Sequence, residues 1–213
     1  MSKVDEWLAW LLPRRCVLCN APSGAGLVCA ACLADLPWLP PPAVPGGVFA
    51  ALSYEYPVDR LVLGAKFHRR LPYARALGEL LAAALAARFA AASPAAAGRP
   101  QLLLPVPLHP ARLAERGYNQ ALELARPVAE RLGLQLMPWL AVRRRATAGQ
   151  SGLSRAARRR NVRDAFVASD CTGLRIAVLD DVVTTGSTAA ALLRALRAAG
   201  AAEVEVWAAA RTL

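Results

Sequence analysis

The chain has 213 residues, room for one ordinary α/β domain and a small appendage, and 56% of them are hydrophobic, so a sizeable core is available. Net charge is +11; only Lys3 and Lys66 of the 26 basic residues are lysine, and this balance suits polyphosphate, nucleic acid or an acidic partner without choosing among them. Asp5 and Glu6 argue against a secretory leader, and Arg75, Glu79 and Arg88 argue against a membrane span at 73–98, so a cytoplasmic protein with no membrane span is expected.

In chain order, residues 3–12 read either as a short helix with Trp7 and Trp10 on one side or as a mobile tip. Cys16-Val-Leu-Cys19 and Cys29-Ala-Ala-Cys32 follow. Paired C-x-x-C knuckles are the usual spacing for tetrahedral zinc, because each pair places two thiolates on one ion. The alternatives are a redox dithiol, which belongs in a longer βαβ setting, or four buried free thiols. A structural zinc held by Cys16, Cys19, Cys29 and Cys32 is the expectation. Pro37 to Pro42 and Pro45-Gly-Gly47 form a proline-rich linker. The domain boundary is placed there, giving 1–46 and 47–213.

Val48 to Tyr56 predicts a strand, and Pro57 with Asp59 opens a helix to about Phe67. A second helix is expected over 73–92, and Leu102 to Pro107 is an apolar strand stopped by prolines. The prolines after it suggest extended backbone with unpaired N–H groups able to cradle a diphosphate. Arg112 and Arg116 would add charge-assisted hydrogen bonds. His109 reads as a loop histidine, and Asn119 caps or begins a helix over Tyr118–Leu132. A strand near 135–142 precedes residues 142–163, which hold eight arginines and no acid. That density suits a solvated basic face, a lid closing on pyrophosphate, or a nucleic-acid contact. Ala165 to Val167 is a short strand, and Ala202 to Ala210 a final one. Strands alternating with helices predict a doubly wound parallel α/β sheet.

The most informative stretch is Ile176-Ala-Val-Leu-Asp-Asp-Val-Val-Thr-Thr-Gly-Ser-Thr188. A buried strand ends in Asp180 and Asp181. The loop Thr184-Thr185-Gly186-Ser187-Thr188 follows and opens a helix over 189–199. Free amides at a helix mouth, hydroxyl donors and a glycine favour an anion there. Two carboxylates beside a phosphate must face something else, and sugar hydroxyls or a magnesium-bound group suit them. The ordinary alternative is a strand, an Asp turn and a Ser/Thr cap.

This pattern resembles the phosphoribosyl pyrophosphate (PRPP) motif of type I phosphoribosyltransferases. The whole series also resembles the ComF family from Leu12 to Thr212. That series runs from the double C-x-x-C through Lys66-Phe67, Pro-Val-Pro-Leu-His109 and Arg116-Gly-Tyr-Asn-Gln120 to Arg-Arg-Asn-Val162 and the Asp-Asp loop. The resemblance implies a type I phosphoribosyltransferase-like sheet behind a small zinc-ribbon-like segment. It implies that 184–188 hold the 5-phosphate of PRPP or a related phosphoribosyl ligand and that Asp180 and Asp181 lie near the ribose hydroxyls. Pro107 to Arg112 match the pyrophosphate loop, and Arg143, Thr147, Gln150, Arg159, Arg160 and Asn161 match the flexible loop. Magnesium would accompany the ligand. Asp180, Asp181, Arg159 and Arg160 are the candidate catalytic residues, although no dedicated general base stands out and the acceptor is not visible. The resemblance also implies a role in DNA uptake with a competence helicase as candidate partner, and the basic charge makes single-stranded DNA another. The rival to an enzyme is a DNA-binding or helicase-docking module that keeps the fold as scaffold or sensor.

Overall fold

A computed structural model of the chain describes residues 14–40, 47–91, 98–145 and 165–213. Five strands form an all-parallel sheet: β1 (Val48–Ser53), β2 (Leu102–Pro105), β3 (Gln135–Leu136), β6 (Arg175–Val183) and β7 (Glu203–Arg211). Their order is β1-β7-β6-β2-β3, with a separate antiparallel pair, β4 (Ala141–Arg143) and β5 (Phe166–Ala168). The helices are α1 (Ala30–Ala34), α2 (Val58–Phe67), α3 (Leu71–Ala91), α4 (Pro110–Arg116), α5 (Gln120–Leu132) and α6 (Ser187–Ala198).

Alternation along the strands sends side chains to two faces. Leu103, Ala177, Leu179 and Trp207 join α2, α3 and α5 in one core. Leu102, Leu104, Ile176, Val178 and Val204 join α6 and the β4–β5 pair in the other. Ile176 to Leu179 are at most 1% exposed, the signature of a central parallel strand covered on both sides. Ile176, Val178 and Leu179 each contribute roughly 1.5–3 kcal/mol by leaving water. The sheet is therefore doubly wound, as expected. Glycine sets one helix contact: a Cβ on Gly78 of α3 would stand 2.6 Å from Pro127 Cγ and collide with the Leu124 carbonyl, so α3 and α5 approach where the side chain is absent.

Several elements differ from expectation. Residues 135–142 do not form one strand. Pro138 supplies no N–H, so β3 stops at Leu136 and the chain turns to begin β4. The β1 strand ends at Ser53, ahead of Tyr54. The segment after β2 is not extended throughout: His109 Nδ1 accepts the Ala111 N–H at 3.2 Å, Pro110 takes the first helical position, and α4 forms. The carboxyl end of β6 runs through Asp180 and Asp181 to Val183, beyond the expected stop. Among the described residues, no helix is long and apolar enough to cross a membrane.

Topology positions the site. From β2 the chain leaves toward β3 on one side, and from β6 toward β7 on the other. The crevice at the carboxyl ends of β2 and β6 is the switch point where ligands bind in open parallel sheets.

Candidate functional site

A cleft of about 300 Å³ occupies that crevice. Asp180, Asp181 and residues 184–188 line it from β6 and the mouth of α6, and Val106, Leu108, Arg112 and Arg116 line it from beyond β2. Residues 184–186 leave the strand, so the loop's amides are not consumed by a neighbouring strand. Gly186 caps α6 with φ +67°, a left-handed conformation that a side chain disfavours, and its carbonyl accepts the Ala190 N–H at 2.8 Å. The amides of Ser187, Thr188 and Ala189 precede that first helical bond and face the helix mouth. Thr185 Oγ1 donates to Ser187 Oγ at 3.1 Å and accepts the Ser187 N–H at 3.4 Å, which ties the hydroxyls of the loop together.

The two carboxylates have different surroundings because neighbouring strand residues face opposite ways. Asp181, 4% exposed, meets Lys66 of α2, with Nζ 2.9 Å from Oδ2. Its Oδ1 accepts the Val182 N–H at 2.8 Å, and Asp180 Oδ1 accepts the Asp181 N–H at 2.9 Å. Burial, and then the charge of Asp181, push the Asp180 carboxyl up to about 7; Lys66 acts in the opposite direction. Burial works against the Lys66 ammonium, but Asp181 and then Asp180 outweigh it and raise its pKa. Among the described residues, four cations line the cleft, Lys66, Arg112, Arg116 and Arg143, against two carboxylates. Arg143 stacks on Phe166 at 5.4 Å and Arg116 on Phe67 at 5.6 Å.

Of the expected binding residues, Thr184 to Thr188, Arg112 and Arg116 come together here with Asp180 and Asp181. Pro107 does not line the cleft, although its neighbours Val106 and Leu108 do, and the Val106 amide is used by the Leu179 carbonyl at 2.8 Å. Arg159, Arg160, Thr147, Gln150 and Asn161 lie outside the described residues. Lys66, Tyr54 and Gln120 were not singled out as site residues from the sequence, yet they line the cleft. Lys66 had a signal, being one of two lysines in an arginine-rich chain. Gln120 had a weaker one, as the last residue of the Arg116-Gly-Tyr-Asn-Gln120 stretch, and its burial at 5% exposure comes from the packing of α5.

The second cluster is the cysteine set. All four sulfurs, of Cys16, Cys19, Cys29 and Cys32, lie within 4.8 Å of one another, with Cys19 and Cys29 at 3.6 Å. Tetrahedral zinc with bonds of about 2.3 Å requires sulfurs about 3.8 Å apart, so this set fits the ion. Burial raises the Cys16 thiol, but the N–H groups of Cys19, Cys29 and Leu18 outweigh it and bring it to about 6. Cys32 is pushed well above the ordinary thiol range, first by hydrogen bonding with Cys19 and then by burial. One thiolate is accommodated without help; four need a cation. The knuckles dock on the body through Val17, Leu18, Val28 and Leu36. Backbone bonds from Leu39 N to Ala51 O and from Ser53 N to Pro37 O, each 2.9 Å, cover the outer edge of β1.

An all-parallel doubly wound sheet carries an acidic couplet and a hydroxyl-rich helix mouth at its switch point, behind a four-cysteine segment, and this defines an α/β protein with a zinc-ribbon-like segment. A model for the double zinc ribbon domain matches residues 7–43. The chain is 38% identical over 201 residues to the DNA utilization protein YhgH of Salmonella typhi, covering 93% of this chain and 84% of the relative. It is 36% identical over 200 residues to YhgH of Escherichia coli K12, with the same coverage. Competence protein F of Haemophilus influenzae is 37% identical over 116 residues, 53% of this chain and 51% of the relative. The chain belongs to the ComF family. Among solved structures, the allosteric regulatory enzyme of purine biosynthesis aligns with 64% of this chain and 25% of its own, at 24% identity and a TM-score of 0.41. The glutamine PRPP amidotransferase of B. subtilis, complexed with ADP and GMP, aligns with 64% of this chain and 26% of its own, also at 24% identity and a TM-score of 0.41.

Proposed function

We propose that the protein binds PRPP or a related phosphoribosyl ligand with magnesium in the β2/β6 cleft and that this site serves the handling of DNA during uptake. The observation that carries the ligand assignment is the pairing of helix-mouth amides, none taken by a neighbouring strand, with an acidic couplet in a cleft whose described lining is net positive. The amides and hydroxyls of 184–188 hold the 5-phosphate, and the carboxylates of Asp180 and Asp181 accept from the ribose hydroxyls. Arg112, Arg116 and Arg143 offset the charge of the diphosphate, joined by Arg159 and Arg160 of the arginine-rich segment. Carboxylate oxygens are hard donors of the kind magnesium takes, and Asp180 is the better placed of the two, because Lys66 already occupies one oxygen of Asp181. Magnesium, when bound, supplies charge neutralisation at the ligand's oxygens. If a phosphoribosyl group is transferred, these residues accelerate the step by positioning and charge stabilisation. The DNA assignment draws on the printed names of the relatives, which speak of DNA utilization and competence, and on the net charge of +11.

The deciding experiment is calorimetric titration with PRPP and magnesium. Wild type is expected to bind, and Asp180→Asn combined with Asp181→Asn to bind far more weakly. Unchanged affinity in the double variant refutes the ligand assignment. Pyrophosphate release with candidate acceptors establishes turnover. The same names and charge support a second reading, a non-catalytic module that binds single-stranded DNA or docks a helicase through residues 1–46. Steeply salt-dependent DNA binding without turnover favours it. So does loss of partner binding, with PRPP binding intact, after deletion of 1–46.

A further inference from the structure

A second cavity, of about 410 Å³, lies where the first cysteine knuckle meets α2 and the start of α3, and it shares no lining residue with the switch-point cleft. We propose that this cavity is a separate nucleotide site, in which the tyrosines hold a base and the arginines its phosphate. The site goes beyond the phosphoribosyl reading and does not depend on it.

The lining divides by chemistry. Val17 and Leu18 of the knuckle and Leu61 and Leu63 of α2 give it an aliphatic side. Tyr56 and Tyr73 bring two aromatic rings, and Tyr56 offers its ring at 72% exposure. Arg60, His68 and Arg70 supply the basic side, and among the described residues no carboxylate lines the cavity. Glu55 and Asp59 neighbour Tyr56 and Arg60 in the chain but stay out of the lining. Among the described residues, neither Arg60 nor Arg70 forms an ion pair with a carboxylate. Cations gathered without acids favour an anion. Guanidinium groups match the geometry of phosphate, and an exposed aromatic ring takes the face of any base. A simple carboxylate ligand would satisfy the arginines and leave the ring unused, whereas a nucleotide uses both.

One wall of the cavity is built in advance. A Cβ on Gly64 would lie 2.5 Å from Tyr73 Cδ2, so the glycine lets the Tyr73 ring pack against α2. The Arg70 guanidinium lies 5.2 Å from the centre of the same ring and donates to its hydroxyl at 2.6 Å. Arg70 follows a turn in which Arg69 takes φ +52°, a left-handed conformation costly for a side chain, and its own N–H is held by the Gly64 carbonyl at 3.2 Å. Tyr73 and Arg70 are thus a fixed pair, and Tyr56 is the open platform.

The test titrates the full-length protein with deoxythymidine monophosphate and, separately, with a deoxythymidine oligonucleotide of about ten nucleotides, followed by NMR. The amide signals of Val17, Leu18 and Gly64 are expected to shift while those of Gly186 and Ser187 stay in place. Shifts confined to residues 184–188 put the nucleotide in the switch-point cleft and overturn the proposal. Tyr56→Ala is expected to weaken binding about tenfold or more, the usual effect of losing one stacked ring, and Tyr56→Phe to keep it. Arg60→Gln with Arg70→Gln is expected to lower the slope of oligonucleotide affinity against salt by about 1.4, since each phosphate contact on a single strand contributes about 0.7. Arg112→Ala with Arg116→Ala, in the other cleft, is expected to leave the shifts at Gly64 unchanged. Equal affinity for the two probes identifies a free nucleotide as the ligand, and an oligonucleotide at least about tenfold tighter identifies a strand; both support the site. Binding of neither probe, unchanged affinity in Tyr56→Ala, or displacement by polyglutamate as readily as by unlabelled nucleotide overturns it.

Discussion

Lys66 Nζ stands 2.9 Å from Asp181 Oδ2, an ion pair joining the last turn of α2 to the carboxyl end of β6. The pair is lopsided in exposure, with the lysine side chain 24% exposed and the aspartate 6%. The carboxylate is therefore the partner that depends on the contact, because an unpaired charge at that depth is strongly disfavoured. Its neighbour Asp180 is instead bonded through Oδ1 to the Asp181 N–H at 2.9 Å.

Asp180 has a pH signature of its own. Burial and then the Asp181 charge push Asp180 up to about 7, above its ordinary value of 3.8. Between those limits the folded protein keeps a proton that the unfolded chain has released, so stability falls as pH rises through the window. Above it the ionised carboxylate is a standing penalty. Asp180→Asn removes the penalty and still accepts the Asp181 N–H. The variant is expected to exceed wild type by about 1–2 kcal/mol at pH 8, roughly 2–8 °C in Tm, with the gap narrowing toward pH 4. Scanning calorimetry across pH checks this, and a gap that does not depend on pH would contradict it.

Metal removal tests the cysteine cluster. Elemental analysis is expected to find one zinc per chain, and strong chelation to lower Tm by several degrees, because Val17, Leu18, Val28 and Leu36 carry the knuckles onto the main core. Cys29→Ser with Cys32→Ser should abolish zinc binding and reproduce the destabilisation. Retention of stoichiometric zinc in that double variant would mean that other ligands hold the ion.

Gly186 provides a test of the helix mouth. Its φ is +67°, and a Cβ would meet only Val183 Cγ1 at 3.9 Å, so the penalty for a side chain is conformational rather than steric. Gly186→Ala is expected to destabilise by about 1–2 kcal/mol and Gly186→Asn by less, since asparagine visits the left-handed region more readily. Denaturant titration reads both. Because the glycine starts α6, Gly186→Ala should also weaken anion binding at Ser187 to Ala189.

Much of the fold was legible because its signals are local. The apolar run 176–179 is a strand buried on both faces, and the helix expected over 189–199 forms as α6. Paired C-x-x-C spacing is likewise a local signature, and the four sulfurs do converge. The misses occurred where local signals competed. Prolines after β2 suggested open backbone, but His109 supplied a cap and Pro110 a helix start. Pro138 divided a stretch whose apolar pattern read as one strand.

Chemistry at single positions was written in the chain: a carboxylate couplet, a hydroxyl-glycine loop and four knuckle thiols each follow from residue type and spacing along one segment. Which charges would face one another was not. The Lys66–Asp181 pair and the entry of Gln120 into the cleft depend on how α2, α4 and α5 pack around the switch point between β2 and β6. Those distances come from cores assembled across the whole chain, and burial, which sets the charge state of Asp180, exists only once that packing is complete.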